Sequence, residues 1–254
     1  AILDDRAAGV LWYNLREISM ETNDKYYLDI GCASEISDKK ERRIYLALRE
    51  RLRPEEKILF DSSLDLSRGI EVNPQKLLTL YGTGIEKSEM IFKEKTFDFI
   101  VSNTVLQYVF EIDRAFKVMD KFLVRGGWML HRIDFRDFLF EKKGFHPLTY
   151  LTVPGPIYGL MVGSQPMNNR RLINYYRDKM AKLKYKAKIL VTHLLGSDKH
   201  PYKERVRYGR DYSAKTVALV DGIRPRLGKD FKNLPNKDIM VRGIFLIARK
   251  PFKK

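Results

Sequence analysis

The heptapeptide His131-Arg132-Ile133-Asp134-Phe135-Arg136-Asp137 holds an imidazole and two carboxylates, side-chain types that can take a proton from a hydroxyl near neutral pH. In a strand, alternate residues face opposite sides. His131 and Asp134 therefore cannot serve one crevice unless the strand ends or bulges there. Each also has a plain structural use: His131 as a hydrogen-bonded core histidine, Asp134 or Asp137 as a cap or an arginine's partner. Of the other histidines, His146 sits in a proline-containing stretch where it can meet a substrate, and His193, within "ILVTHLL", has a structural position. His200 lies in the basic run "SDKHPYKERVRYGR", where an anion contact is expected.

A second stretch, "YYLDIGCAS" (26–34), begins as a nucleotide-binding strand and turn does. Gly31 lets a ligand approach the backbone with no side chain between. Asp29 can anchor the loop or accept a ligand hydrogen bond, and Ala33 is small enough for close approach. By itself the stretch reads equally well as a buried strand followed by a turn. Cys32 is the one cysteine of the chain; it reads as a packing residue, excludes an intramolecular disulfide and fits a reducing, cytoplasmic compartment.

The elements that must position these groups alternate between the two periods of secondary structure. The pattern predicts an amphipathic helix over 6–19 and a short strand at "YYLDI". A helix over "SDKKERRIYLALRERLRP" is started by Asp38 with Glu41 and stopped by Pro54. "KILFD" reads as a strand ending in Asp61, and "TFDFIVSN" as a strand ending at Ser102 and Asn103. "EIDRAFKVMDKFLVRGG" sets Ile112, Ala115, Phe116, Met119, Phe122 and Leu123 on one helical face, with Gly126-Gly127 as its stop. "WMLHRIDF" is the next strand, so strand, helix and strand form a parallel crossover unit of an α/β sheet with helices on both faces. A basic helix capped near Asn169, a strand "AKILVTHLL" and a final strand "IMVRGIFLIARKP" follow. Two segments exceed a minimal sheet: 138–168, aromatic and proline-containing, and 196–238, basic and loop-like. Insertions at such places usually shape the substrate side. The chain thus reads as a single domain over 1–254 with a cap at 138–168 and a basic insertion at 196–238. No internal repeat, secretory leader or apolar run of membrane-spanning length is apparent.

The net charge of +16 over 254 residues is unevenly divided. From Gln165 to Lys254 there are 24 Lys and Arg against 7 Asp and Glu, a net of +17; the remaining 24 and 25 net −1. An excess confined to the C-terminal third points to an anionic partner there, although a solubilising surface has the same composition. Arg170 and Arg171 precede a helix, and Lys203, Arg205, Arg207 and Arg210 cluster in one loop. Arginine suits phosphate or carboxylate through its planar pair of donors.

Taken in order, "LDIGCAS", "FDFIVSNTVLQYV" and "FKVMDKFLVRGGWMLHRID" resemble three motifs of class I S-adenosylmethionine (SAM) methyltransferases. "HRIDFRD", "PLTYL", "NNRRL" and "IARKP" are similar to a bacterial subgroup associated with surface-polysaccharide synthesis. The resemblance spans roughly residues 26–252, with 34–95 matching poorly. It implies a Rossmann-like, seven-stranded, mostly parallel sheet whose last strand is antiparallel. It also implies SAM as cofactor, held by Asp29, Gly31, Ala33, Ser102 and Asn103. An acid for the cofactor ribose is expected at Asp61 or Glu71, and an adenine-side contact at Glu86. The implied reaction moves a methyl group to a hydroxyl of a small-molecule, sugar or glycan acceptor, anionic in character. His131, Asp134 or Asp137 would be the base, and His146, Arg170, Arg171, Arg207 and Arg210 the acceptor contacts. Two rival readings stand beside it. One is an RNA methyltransferase using the basic third with Tyr202, Tyr208 and Tyr212. The other is a binding protein that keeps the fold without catalysis. No metal is expected.

Overall fold

The computed structural model describes residues 2–3, 27–29, 39–68, 71–72, 77–79, 85, 97–137, 144–162, 167–196 and 206–252. The helix expected over 6–19, together with Gly31, Ala33 and Glu86, lies outside them.

The sheet is built on four long strands: β6 (Phe97–Asn103), β7 (Leu123–Asp134), β8 (Lys186–Leu194) and β9 (Val241–Arg249). β6 and β7 run parallel, whereas β9 inserts between β7 and β8 antiparallel to both. Three short parallel segments extend the β6 edge: β1 (Ile2–Leu3), β2 (Tyr27–Asp29) and β5 (Leu77–Thr79), in the order β5-β2-β1-β6-β7-β9-β8. The antiparallel last strand is as expected. Among the described residues the sheet has seven strands, of which only β9 is antiparallel; its body is the four long strands, and the parallel extension consists of two- and three-residue pieces. A separate hairpin pairs β3 (Leu64–Asp65) with β4 (Glu71–Val72).

Burial follows from the strands' own residues. β9 is Ile-, Leu- and Val-rich and is flanked by strands on both sides, so most of it is buried. Gly243 serves a packing need, because a Cβ there would lie 2.7 Å from Thr192 Oγ1, where the β8 register shifts. On one face α3 (Ile112–Phe122) buries Ile112, Ala115, Phe116, Met119 and Phe122, as its 3.6-residue period predicts. α5 (Ile173–Lys182) packs Tyr176 against Phe116 and Phe135, with ring centroids 6.2 and 5.8 Å apart. The opposite face is thinner among the described residues: Val101 and Leu130 packed with Phe99, Phe245 and Ile247.

Several boundaries differ from expectation for identifiable reasons. "KILFD" is not a strand. It lies in α2 (Pro54–Ser63), where Pro54 occupies the first turn, the Arg53 amide donates to Glu56 at 2.8 Å, and Glu55 and Glu56 favour the helix N-terminus. Pro54 therefore starts a helix, while the preceding α1 (Lys39–Arg49) has already ended. Gly126 and Gly127 do not stop α3; β7 begins at Leu123 and both glycines lie inside it. Gly126 has φ +76°, and a Cβ on it would meet the Phe252 ring. Asn169 does not cap α5, whose N-cap is Leu172; its Oδ1 instead accepts the Arg171 amide at 3.0 Å.

Both insertions leave from the carboxyl edge of the sheet. The first follows Asp134 at the end of β7 and includes a 3-10 turn at Thr149–Leu151 and α4 (Gly155–Val162). The second follows β8, and because Leu194 pairs with Val241 the chain leaves and re-enters at the same end. Between them it is helical over its described part and not loop-like: α6 (Ala214–Ile223), a 3-10 turn at Arg224–Arg226, α7 (Lys229–Lys232) and α8 (Asn236–Ile239).

Candidate active site

β7 parts His131 from Asp134 as strand alternation requires, and Asp137 lies beyond its end. Ser102 and His131 are register partners, and their side chains lie on the α3 face. His131 is 0% exposed, with Nδ1 2.7 Å from Ser102 Oγ and its ring edge-on to Phe116. Burial drives its pKa down to about 3, so the imidazole is neutral at ordinary pH. A sealed imidazole beneath a helix is a core histidine, and the expectation that it acts as a base loses its footing. Ser102, committed to it, likewise faces the core and not the crevice.

Asp134 and Asp137 stay at the carboxyl edge, 4% and 2% exposed. Arg136 grips Asp134 with Nε at 2.9 Å and Nη2 at 2.5 Å, while the Arg136 amide donates to Oδ1 at 2.9 Å. Asp137 accepts from the Tyr158 hydroxyl of the cap at 3.2 Å. The same hydroxyl reaches the Asn168 carbonyl at 2.6 Å, and Asn168 Nδ2 donates to the Asp134 carbonyl at 3.2 Å. Tyr150 adds a hydroxyl bond to the Phe135 carbonyl at 2.7 Å. Burial, reinforced by Asp137, pushes the Tyr158 phenol far up, so it stays a donor. Tyr108, half-buried beside this group, is also raised, first by burial and then by Asp134 and Asp137. It stands in a short 3-10 turn (Leu106–Tyr108) after Thr104, whose φ of +55° lets the chain turn sharply off β6.

Sequence reasoning passed over Tyr108, Arg136 and Asn168 as individual residues. The signal was present in "LQYV" and "NNRRL", but the pairing of residues up to 34 apart in the chain is a tertiary fact.

The remaining expected residues fall into three groups. Asp29 ends β2, and Asn103 ends β6, accepting from Arg132 Nη1 at 3.5 Å. Both strands are parallel to β1, which lies between them, so these residues share the carboxyl edge, two strands apart across the sheet and two residues apart along it. Ligands of open α/β sheets bind at such an edge. Asp61 and Glu71 do not share it. Asp61 projects from α2, held by Arg49 through two 2.6 Å bonds that lower its pKa. Glu71 begins β4, opposite Asp65 in the hairpin. Neither ends a strand of the main sheet.

Among the expected acceptor contacts, His146 closes a local turn by accepting the Leu148 amide at 3.1 Å, and burial lowers its pKa. Arg170, at φ +60°, lies 4.0 Å from the Tyr158 ring and bonds the Val153 carbonyl at 2.6 Å, fastening the cap. Arg207 is paired with Asp211 at 3.0 Å. Arg171 and Arg210 are exposed; the Arg171 guanidinium lies 5.2 Å from the Tyr175 ring. A polar cleft of about 280 Å³ adjoins Arg170, Arg171, Asn174 and Asp230. Lys203 and Arg205 lie outside the described residues. No group of His, Cys, Asp and Glu among the described residues can hold a metal.

Residues 65–131 match the Methyltransferase domain family, a span running from the β3 hairpin to His131. No curated protein matches the chain. Among solved structures, a SAM-dependent methyltransferase from Thermotoga maritima is 16% identical over 93% of this chain and 87% of its own, with a TM-score of 0.41. Phosphoethanolamine N-methyltransferase 2 from Haemonchus contortus is 14% identical, covering 96% of this chain and 53% of its own, at 0.44. The CurJ carbon methyltransferase is 11% identical over 98% and 48%, at 0.42. The chain thus spans about half the length of these last two proteins. Residues 65–131, about a quarter of the chain, are thus similar to a methyltransferase domain, and they belong to an α/β fold that carries carboxylates at its carboxyl edge.

Proposed function

We propose that the protein transfers the methyl group of SAM to a hydroxyl of a small anionic acceptor, a sugar or glycan of the kind found in surface polysaccharides. The observation that supports this best is the Asp134–Arg136 and Asp137–Tyr158 arrangement at the end of β7, under the cap. The residues fit the cofactor: Asp29 and Asn103 stand on one edge, and Gly31 and Ala33 follow Asp29 in the chain. These residues would hold SAM, whereas Asp61 and Glu71, the two acids expected for its ribose, both lie off that edge. SAM itself supplies an activated methyl on a good leaving group.

The chain's own work is then alignment, exclusion of water and removal of one proton. Asp137, which accepts from the cap, is the candidate base. The Tyr158 hydroxyl orients Asp137 from the cap. Arg171 and Arg210, both exposed, are suited to an anionic acceptor. The RNA reading is weakened by its tyrosines: Tyr208 bonds buried Asp238, and Tyr212 bonds the Lys237 carbonyl at 2.8 Å. Both rings also pack partly against the hydrophobic core, and Tyr202 lies outside the described residues.

Calorimetry with SAM and S-adenosylhomocysteine tests the cofactor. Absence of binding at millimolar ligand leaves a fold without its catalysis. Labelled methyl transfer to anionic glycans, with transfer RNA as the rival acceptor, tests the substrate class; label in the RNA alone overturns the glycan reading.

A further inference from the structure

From Gly144 to Asn169 the chain runs 26 residues without a Lys, Arg, Asp or Glu, although 31% of its residues are charged. Part of that run is spent inward: Leu148, Tyr150, Leu151 and Tyr158 belong to the core. The outward part is apolar too. In α4, Ile157 and Leu160 lie three residues apart and so on one side of the helix, 53% and 83% exposed. Pro154 and Pro156 are exposed next to them. A helix facing only water would carry polar residues there.

The surroundings of this apolar tip are basic. The Gly228 amide donates to the Leu151 carbonyl at 3.0 Å, which brings the 3-10 turn Arg224–Arg226 and α7 against the base of the cap. Arg226 acts electrostatically on His146 of the cap. Residues 222–237 contain Arg224, Arg226, Lys229, Lys232 and Lys237 against one acid, Asp230, a net of +4. Arg226, Lys229 and Lys232 are exposed.

We infer that this face docks on a bilayer rich in anionic phospholipid, with Ile157 and Leu160 entering the headgroup boundary and Arg226 and Lys229 meeting the lipid phosphates. An uncharged helix with exposed aliphatic side chains, rimmed by cations, has both parts of an interfacial contact: apolar area to bury and charge to attract. Among the described residues no helix is long and apolar enough to cross a membrane, so the contact is peripheral. Tyr158, on the inward side of the same helix, bonds Asp137, so docking sets the candidate active site beside the lipid surface.

Flotation of the full chain with vesicles tests this. Binding is expected to vesicles of phosphatidylcholine with phosphatidylglycerol, and to fall by roughly tenfold or more on pure phosphatidylcholine or in high salt. Leu160→Glu is expected to abolish flotation with an unchanged circular dichroism spectrum, since the side chain is outside the core. Arg226→Glu with Lys229→Glu is expected to remove the preference for anionic lipid. Failure of the wild type to float with any vesicle overturns the inference, as does a Leu160→Glu variant that floats normally. Light scattering that shows a wild-type dimer turned into a monomer by Leu160→Glu, without flotation, assigns the face to a second copy of the chain instead.

Discussion

The cap after β7 and the helical run after β8 spring from the same edge of the sheet but are held by opposite means. From Gly144 on, the cap carries no charged residue and is fastened by its tyrosines: hydroxyls on carbonyls and a carboxylate, and the Tyr158 ring under the Arg170 guanidinium. The basic run ties part of its charge into ion pairs, Arg207 on Asp211 within it and buried Asp238 on Arg177 of α5. Charge in the sequence therefore misplaces the chemistry. The region with the most cations uses some of them as struts, and the charge-free stretch from Gly144 supplies the hydroxyl that bonds Asp137.

The sharpest break in that comparison is Asp137→Asn. It is expected to lower kcat by about 10²- to 10⁴-fold, the usual contribution of a general base, while calorimetric SAM affinity is unchanged. Equal kcat in the variant removes Asp137 from the chemistry. Arg170→Ala should come next, destabilising by about 2 kcal/mol through lost stacking and an orphaned Val153 carbonyl. Urea unfolding measures it, and faster proteolysis within 144–162 than in wild type locates the loss in the cap.

His131 gives a third expectation, of similar size but governed by pH. Its folded pKa, about 3, lies below the unfolded value of about 6.5. Between those values only the unfolded chain binds the proton, so stability falls as pH falls, by about 1.4 kcal/mol per unit. Going from pH 7 to pH 5 should cost about 2 kcal/mol in the wild type and markedly less in His131→Gln, read from urea midpoints. A variant with the wild-type pH slope contradicts a neutral buried imidazole. The smallest effect is expected at Arg207→Ala: its partner pair is exposed, so stability should shift by less than about 0.5 kcal/mol. Acceptor KM should move little, whereas Arg171→Glu should raise it several-fold. An equal rise for both substitutions would return Arg207 to the acceptor site.

Much of this was legible in the residues. Periodicity placed β6, α3, β8 and β9, because apolar spacing reports which face must be buried whatever the partner. The elements that went astray share one cause. "KILFD" is apolar enough for a strand, but Pro54, Glu55 and Glu56 ahead of it carry helix-start chemistry that outweighs a five-residue pattern. Gly126-Gly127 looks like a helix stop and instead relieves crowding within β7, a clash with Phe252 that lies far along the chain.

The candidate site divides the same way. The sequence by itself determined that His131, Asp134 and Asp137 are candidates, that alternation separates the first two, and that positive charge gathers after Gln165. Only the tertiary structure decided among them. Whether an imidazole is a base or a core residue depends on what covers it, and α3 with Phe116 covers His131. Whether an arginine is available to a ligand depends on which acid folds next to it, and for Arg207 that is Asp211. The partner of Asp137, Tyr158, comes from a segment 21 residues on. Spacing within a strand fixes direction, but burial and partnership are set by chain segments distant in sequence, so the roles of these residues emerge only when the segments pack.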